Sequence, residues 1–149
     1  MTKTSILTRI LFALGAVIVL GATYQARQES LDKEGIPGAL VSVDNREFHL
    51  LCKGEAEGDS PVVILETALW GSIPEWYYVL NDIRETTKVC AYDRLGMGWS
   101  SPRNKPTRSA DVATELHSLL RAAKIDNPLI LVGWSAGGMY VRKYHEVFP

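Results

Sequence analysis

The chain has 149 residues, of which 46% are hydrophobic and 22% charged. These proportions are typical of a folded globular protein and exclude wholesale disorder. Its 16 basic and 17 acidic residues leave a formal net charge of −1, so no strong field favours nucleic acid as a partner. Two cysteines are too few for a disulfide-rich miniprotein or a four-thiolate zinc site, and the sequence predicts neither a metal nor a cofactor.

Residues 1–26 differ in composition from the rest of the chain. Their only charges are Lys3 and Arg9, which precede an uncharged, largely apolar run over residues 10–26. This layout predicts a signal anchor that contacts the membrane, with a cleaved signal peptide and a buried helix as the alternatives. The preceding basic residues favour an N-terminus inside and a domain on the outer, periplasmic or extracellular, side. Cleavage would instead release a secreted domain.

The remaining chain divides into a polar stretch and a region of alternating strands and helices. Residues 27–40 contain glycine and proline and predict a tether. Two short strands flank a turn at residues 44–46 and predict a hairpin. Continuous apolar runs then predict strands buried on both faces, at residues 61–66, 88–92 and 128–133.

Helices are predicted between and after these buried strands. Ser72 and Glu75 match a capping box with a proline in the first turn, ahead of Trp76 and Leu80 at helical spacing. Apolar residues from Val112 to Ala123 predict an amphipathic helix, and residues 136–148 predict another. Strands that alternate with helices predict an α/β fold, in which helices cover both faces of a mostly parallel sheet.

The motif Gly133-Trp134-Ser135-Ala136-Gly137 carries the chemistry. It follows an apolar strand and opens a helix, which is the context of a nucleophile elbow. A sharp turn exposes the Ser135 hydroxyl, while Gly133 and Gly137 allow close backbone approach. The N–H group of Ala136, at the helix N-terminus, can then stabilise an oxyanion. The alternative is a serine N-cap beside glycines that pack the helix.

A second oxyanion donor is expected from the loop after the third strand. Leu69 is the candidate, with Ala68 as the neighbouring alternative, in the segment Glu66-Thr67-Ala68-Leu69-Trp70-Gly71-Ser72. The alternative reading is an ordinary connection between a strand and a helix.

With this motif, the sequence resembles the α/β-hydrolase superfamily and its alpha/beta-hydrolase-1 type of serine hydrolases. Three blocks carry the resemblance, at residues 62–71, 90–100 and 131–138, in the family's order and within a match over about residues 41–149. The first block departs from the family, since many members have His-Gly or Ser-Gly where Thr67 and Ala68 stand. Ala68 is then expected to adopt a conformation that glycine usually supplies.

In this family an acid and a histidine follow the nucleophile, and neither is identified here. His49, in the hairpin, is expected to pack or face water, and His117 to lie on a solvent-facing side of its helix. His145 lies about 15 Å from Ser135 along the helix axis, far beyond hydrogen-bond reach. The resemblance therefore implies a further half with more strands, a cap, the acid and the base. The fold is thus expected to be truncated after the elbow helix.

The resemblance also suggests roles for other residues. The loop Asp93-Arg94-Leu95-Gly96-Met97-Gly98-Trp99-Ser100 either lines the mouth of the active site or forms turn architecture, and we favour the latter. Trp70, Trp99 and Trp134 form either an apolar wall that binds the acyl group or plain packing. The family's sheet order puts the second strand beside the fourth, which allows a disulfide between Cys52 and Cys90. Two small buried hydrophobic residues are the alternative.

These expectations lead to two hypotheses of function. The first is a membrane-tethered serine hydrolase in which Ser135 attacks a small-molecule ester or related acyl bond, with acyl transfer to another acceptor also open. The second is a truncated or degenerate hydrolase that is inactive alone and is either a binding module or a fragment of a longer enzyme. An uncovered sheet edge after the fifth strand also predicts self-association.

Overall fold

A computed structural model describes residues 3–149, with side chains described for residues 6–28 and 35–149. The chain forms two compact units, which divide between Ile36 and Pro37. The first two residues of the predicted anchor lie outside the described part.

The first unit is one long helix, α1, over Lys3–Glu34. Within it, Ile6–Gln28 is long and apolar enough to cross a membrane, and none of its side chains is buried in the protein. A signal sequence satisfies the same criteria. The first part of the predicted tether over residues 27–40 is helical, because α1 continues through Glu34. Residues 27–34 contain neither glycine nor proline, and Gly35 is the first residue that ends the helical run.

The second unit is built on a five-stranded sheet in the order β1-β2-β4-β3-β5. The strands are β1 (Ala39–Val43), β2 (Arg46–Lys53), β3 (Val62–Glu66), β4 (Val89–Tyr92) and β5 (Leu129–Gly133). The hairpin β1–β2 turns at Asp44 and Asn45, which both have positive φ. Strand β2 also pairs with β4 in antiparallel fashion, whereas β3 is parallel to both β4 and β5. The sheet is therefore mixed, with its three later strands parallel.

Helices cover both faces of this sheet, since successive side chains of β3 pack against helices on opposite sides. Val62 and Ile64 pack against a cluster that includes side chains of α3 (Ser109–Ala122) and α4 (Ala136–Val147). Val63 and Leu65 pack on the opposite face against residues of a 3₁₀ helix (Ile73–Trp76) and α2 (Tyr77–Ile83). All four of these strand side chains are buried, as expected for a strand in the middle of the sheet.

The predicted capping box at Ser72 is not formed. The Ser72 side chain caps nothing; its backbone carbonyl instead accepts from the N–H of Glu75 at 3.1 Å, which begins the 3₁₀ helix. The Glu75 carboxylate packs against Gly71, where a Cβ would meet it. Proline at the second helical position suits this tight turn.

Cys52 and Cys90 occupy directly paired positions of the antiparallel strands β2 and β4. Their Cα atoms are 4.1 Å apart and their side chains form a disulfide, across a sequence separation of 38 residues. The bond therefore ties the hairpin to the parallel part of the sheet.

Candidate active site

The candidate site lies where β3, β4 and β5 end. The sheet order places β3 between β4 and β5, so the connections before and after β4 leave in opposite directions. In open α/β sheets such a switch point, at the carboxyl ends of the strands, is where ligands bind. Glu66 pairs with Gly133, and the N–H of Trp134 donates to the carbonyl of Glu66 at 3.0 Å. The loop after β3 and the turn after β5 are therefore neighbours.

Ser135 occupies the turn between β5 and α4 in a strained conformation. Its φ is 53° and its ψ is −118°, a backbone conformation that residues other than glycine rarely adopt. A Cβ at Gly133 would lie 2.5 Å from the backbone of Gly137, and one at Gly137 would lie 2.7 Å from the carbonyl oxygen of Thr67. Both glycines are therefore required by close backbone approach. Ser135 is exposed, and its hydroxyl has no hydrogen-bond partner among the described residues.

The two predicted oxyanion donors, the N–H groups of Ala136 and Leu69, have no acceptor within residues 3–149. The N–H groups of Gly137 and Gly138 bond back to Trp134 and Ser135, at 2.8 and 3.0 Å, which leaves that of Ala136 without a described acceptor. In the loop after β3, the N–H group of Leu69 also lacks one. Both N–H groups are therefore free to donate a hydrogen bond to an anionic oxygen.

The loop after β3 does not need the glycine-like conformation predicted for Ala68. Among described residues other than glycine, positive φ occurs only at Asp44, Asn45, Lys124 and Ser135. Side-chain hydrogen bonds shape the loop instead: the hydroxyl of Thr67 donates to the carbonyl of Gly71 at 3.2 Å.

A buried polar cluster of Glu66, Tyr92 and Arg94 lies under this loop. Glu66 is fully buried, ends β3, and accepts hydrogen bonds from the hydroxyl of Tyr92 and the guanidinium of Arg94. Burial raises the pKa of Glu66, while the Arg94 charge and the two hydrogen bonds oppose the rise. Burial also raises the pKa of Tyr92, as does the negative charge of Glu66. This cluster is not among the features predicted from the sequence, although a glutamate that ends an apolar strand indicates a buried charge in need of a partner.

Asp93 organises the loop after β4, in agreement with the turn-architecture interpretation. Its buried carboxylate accepts from the N–H groups of Ile73 and Trp99, at 2.9 and 3.2 Å, and from Nδ1 of His49 at 2.7 Å. Gly98 packs against this carboxylate, where a Cβ would clash. His49 is entirely buried and not turned to water, contrary to one of the two expectations for it.

None of the three histidines touches Ser135 in the structure. Both ring nitrogens of His49 are engaged, Nδ1 with Asp93 and Nε2 with the carbonyl of Pro37 at 2.7 Å. His117 does not face solvent as predicted: it is half-buried and stacks on Phe148, with ring centroids 4.0 Å apart. His145 is exposed in the last turn of α4.

The three tryptophans of the candidate pocket wall are exposed rather than packed. The exposed fractions are 81% for Trp70, 59% for Trp134 and 39% for Trp99. Trp99 makes one aromatic contact, edge-on to His49 at 5.0 Å. Plain packing in the core is therefore wrong for Trp70 and Trp134, and a role as pocket wall stays a prediction.

A groove in the described part of the chain lies away from Ser135. It has a volume of about 910 Å³ and lies along β5 and α4, lined by residues that include Leu129, Leu131, Met139 and Arg142. It follows the free edge of β5, since β3 is the one described neighbour of that strand.

The family model for the alpha/beta hydrolase fold matches residues 61–149, and the chain belongs to this family. Among curated proteins, an uncharacterized protein of Schizosaccharomyces pombe is 28% identical over 131 residues, covering 70% of this chain and 24% of the relative. The uncharacterized protein YqjL of Bacillus subtilis is 33% identical over 100 residues, covering 66% and 38%. The chain thus spans well under half the length of these relatives.

Among solved structures, a membrane phospholipase A described as a bacterial virulence factor is similar with a TM-score of 0.69 and 25% identity. The match covers 99% of this chain and 49% of that protein, so it includes the N-terminal helix. The predicted family and fold are therefore confirmed.

Proposed function

We propose that this chain carries the nucleophile and oxyanion hole of a membrane-tethered serine hydrolase that cleaves ester or related acyl bonds. The observation that carries the proposal is the strained, exposed Ser135 at the tight turn between β5 and α4. Strain of this kind persists where the surrounding structure enforces it, and it is found at active sites.

In the proposed reaction, Oγ of Ser135 attacks the acyl carbon and its proton passes to a general base. The N–H groups of Ala136 and Leu69 stabilise the oxyanion, and the protonated base gives its proton to the departing alcohol as the acyl-enzyme forms. Water, deprotonated by the same base, then hydrolyses the acyl-enzyme. Release to an acceptor other than water would make the protein an acyltransferase. A serine at the elbow argues against the chemistries of this fold that use an aspartate nucleophile.

Three observations support a tether with the domain on the outer side. The apolar helix α1 has no buried side chain along Ile6–Gln28, and the phospholipase match includes this helix. The disulfide between Cys52 and Cys90 is of a kind that persists in oxidising compartments. Replacing Val17 with arginine should move the protein from the membrane to the soluble fraction; unchanged fractionation would contradict the tether.

A fluorophosphonate probe, which modifies activated serines, tests the catalytic proposal. Full-length protein should be labelled, Ser135→Ala should abolish labelling, and Ser42→Ala should leave it intact. Ser42 is a suitable control because it is an exposed serine on β1. Absence of labelling in folded wild-type protein would reject the hydrolase.

The alternative is a degenerate hydrolase that binds a ligand without turnover. It is favoured by the absence, among the described side chains, of an imidazole or carboxylate bonded to Ser135. Without a base the serine hydroxyl is a weak nucleophile. An unlabelled but folded protein would support this alternative.

A further inference from the structure

Arg94 binds the backbone of the loop that contains the proposed oxyanion donor. Its side chain is 3% exposed and reaches from the end of β4 to the loop after β3. One terminal nitrogen donates to the carbonyl oxygen of Thr67 at 2.9 Å, and the other donates to the carbonyls of Ala68 and Leu69, the latter at 2.9 Å. A single guanidinium therefore holds three consecutive carbonyl groups.

These bonds determine where the loop's N–H groups point. In a trans peptide the carbonyl and the N–H point in opposite directions, and the described chain contains no cis peptide. Because the carbonyl of Ala68 faces Arg94, the N–H of Leu69 faces away from it. The same holds for the carbonyl of Leu69 and the N–H of Trp70.

Two further contacts hold the guanidinium in place. Glu66 forms a buried ion pair with it. The ring of Tyr140, on the helix that follows Ser135, lies 5.0 Å from Cζ of Arg94 in a cation–π contact. The guanidinium thus contacts both the loop after β3 and helix α4, which follows Ser135.

We infer that Arg94 is a positioning residue, which directs the N–H group of Leu69 toward the oxyanion formed at Ser135. The inference rests on the proposed hydrolase function. A planar guanidinium offers several donors in a fixed fork, whereas the ammonium of lysine is a compact point charge. Charge alone is therefore not enough to hold three carbonyls.

The experiment compares fluorophosphonate labelling of full-length wild type and Arg94→Lys. The rate constant at saturating probe should fall about 100-fold, the size of effect seen when one oxyanion donor is lost, while the probe's apparent binding constant stays the same. In Arg94→Ala, millimolar guanidinium ion should restore labelling at least tenfold. Substitution of a residue with only a structural role would not lower the labelling rate constant at an unchanged binding constant. Guanidinium ion would not restore labelling in such a variant.

A double variant keeps the test decisive if single variants do not fold. Removing one partner of a buried ion pair leaves an unpaired charge, whereas replacing both with apolar residues is commonly tolerated. Glu66→Met with Arg94→Met, made in a Tyr92→Phe background so that no buried hydroxyl loses its acceptor, should therefore fold and still label slowly. Arg103→Met with Glu115→Met is the matched control, because it removes an ion pair outside the candidate site.

The outcomes separate this inference from the proposed function. Labelling of wild type that is lost in Ser135→Ala but unchanged in folded Arg94 variants would overturn the inference alone. Labelling absent from folded wild type would overturn the hydrolase proposal and this inference with it.

Discussion

Nδ1 of His49 lies 2.7 Å from a carboxylate oxygen of Asp93, in a pair of which neither side chain is exposed to solvent. The pair joins the hairpin strand β2 to the loop after β4. Through Nε2, His49 also reaches the carbonyl of Pro37, the first residue of the second unit. Asp93 in turn holds the N–H groups of Ile73 and Trp99, so four segments depend on one hydrogen-bonded pair.

This pair predicts a pH-dependent stability. Burial alone lowers the pKa of His49, but the hydrogen bonds to Asp93 and Pro37 and the negative charge of Asp93 outweigh it, so the pKa is raised. The raised pKa means that the fold favours the protonated ring. The resulting stabilisation is fully present below the unfolded-state pKa of about 6.5 and is lost as the pH rises through the higher folded-state pKa.

The measurement is the free energy of unfolding of wild type and His49→Gln between pH 5 and pH 9. The stability difference between the two proteins should be largest at the acidic end and shrink as the pH rises. His145→Gln is the matched control, since that side chain is exposed and lies outside the pair. A difference that is constant across this range would contradict the prediction.

Gly137 should tolerate no side chain, in contrast to its neighbour. A Cβ at Gly137 would clash with the backbone carbonyls of Glu66 and Thr67, whereas at Gly138 the nearest atom would be 3.9 Å away. Gly137→Ala should therefore cost about 1–3 kcal/mol through overpacking. Gly138→Ala should be neutral or stabilise the helix by up to about 1 kcal/mol. Thermal unfolding of the two variants tests this, and equal melting temperatures would be inconsistent with it.

Loss of the disulfide should destabilise the second unit. Cys52 and Cys90 are separated by 38 residues, and removal of such a crosslink costs about 2–4 kcal/mol, mainly by freeing the unfolded chain. The double variant Cys52→Ala, Cys90→Ala should melt at a lower temperature than oxidised wild type. Mass spectrometry after alkylation should find no free thiol in exported protein until a reductant is added; two free thiols would refute the bond.

The edge of β5 that no strand of the described residues covers should promote self-association. Ile130 on this strand is 47% exposed, and an uncovered apolar edge is a template for pairing with another strand. Ile130→Lys should shift the protein toward monomer in detergent-solubilised analytical ultracentrifugation. Tyr78→Lys, which changes an exposed aromatic residue on α2, is the control. A wild type that sediments as a monomer at every concentration would rule out this association.

Much of the fold could be predicted because its signals are local. The apolar runs at β3, β4 and β5 and the helical spacing from Val112 onward each depend on neighbours in sequence. The same holds for Ser135, since a glycine-flanked serine between a strand and a helix is recognisable from five residues. The polarity of residues 27–34 does not reveal their helix, which the absence of glycine and proline in this stretch permits.

The sequence by itself determined the positions of the strands, the apolar N-terminal helix and the elbow at Ser135. Only the tertiary structure decided that His49 pairs with Asp93, that Arg94 binds Glu66, and which way the carbonyls after β3 point. The two members of each pair are 28 or more residues apart in the sequence, so no periodicity along the chain relates them. Their pairing follows from the strand order, which places β4 between β2 and β3, and from the cost of burying a charge without a partner.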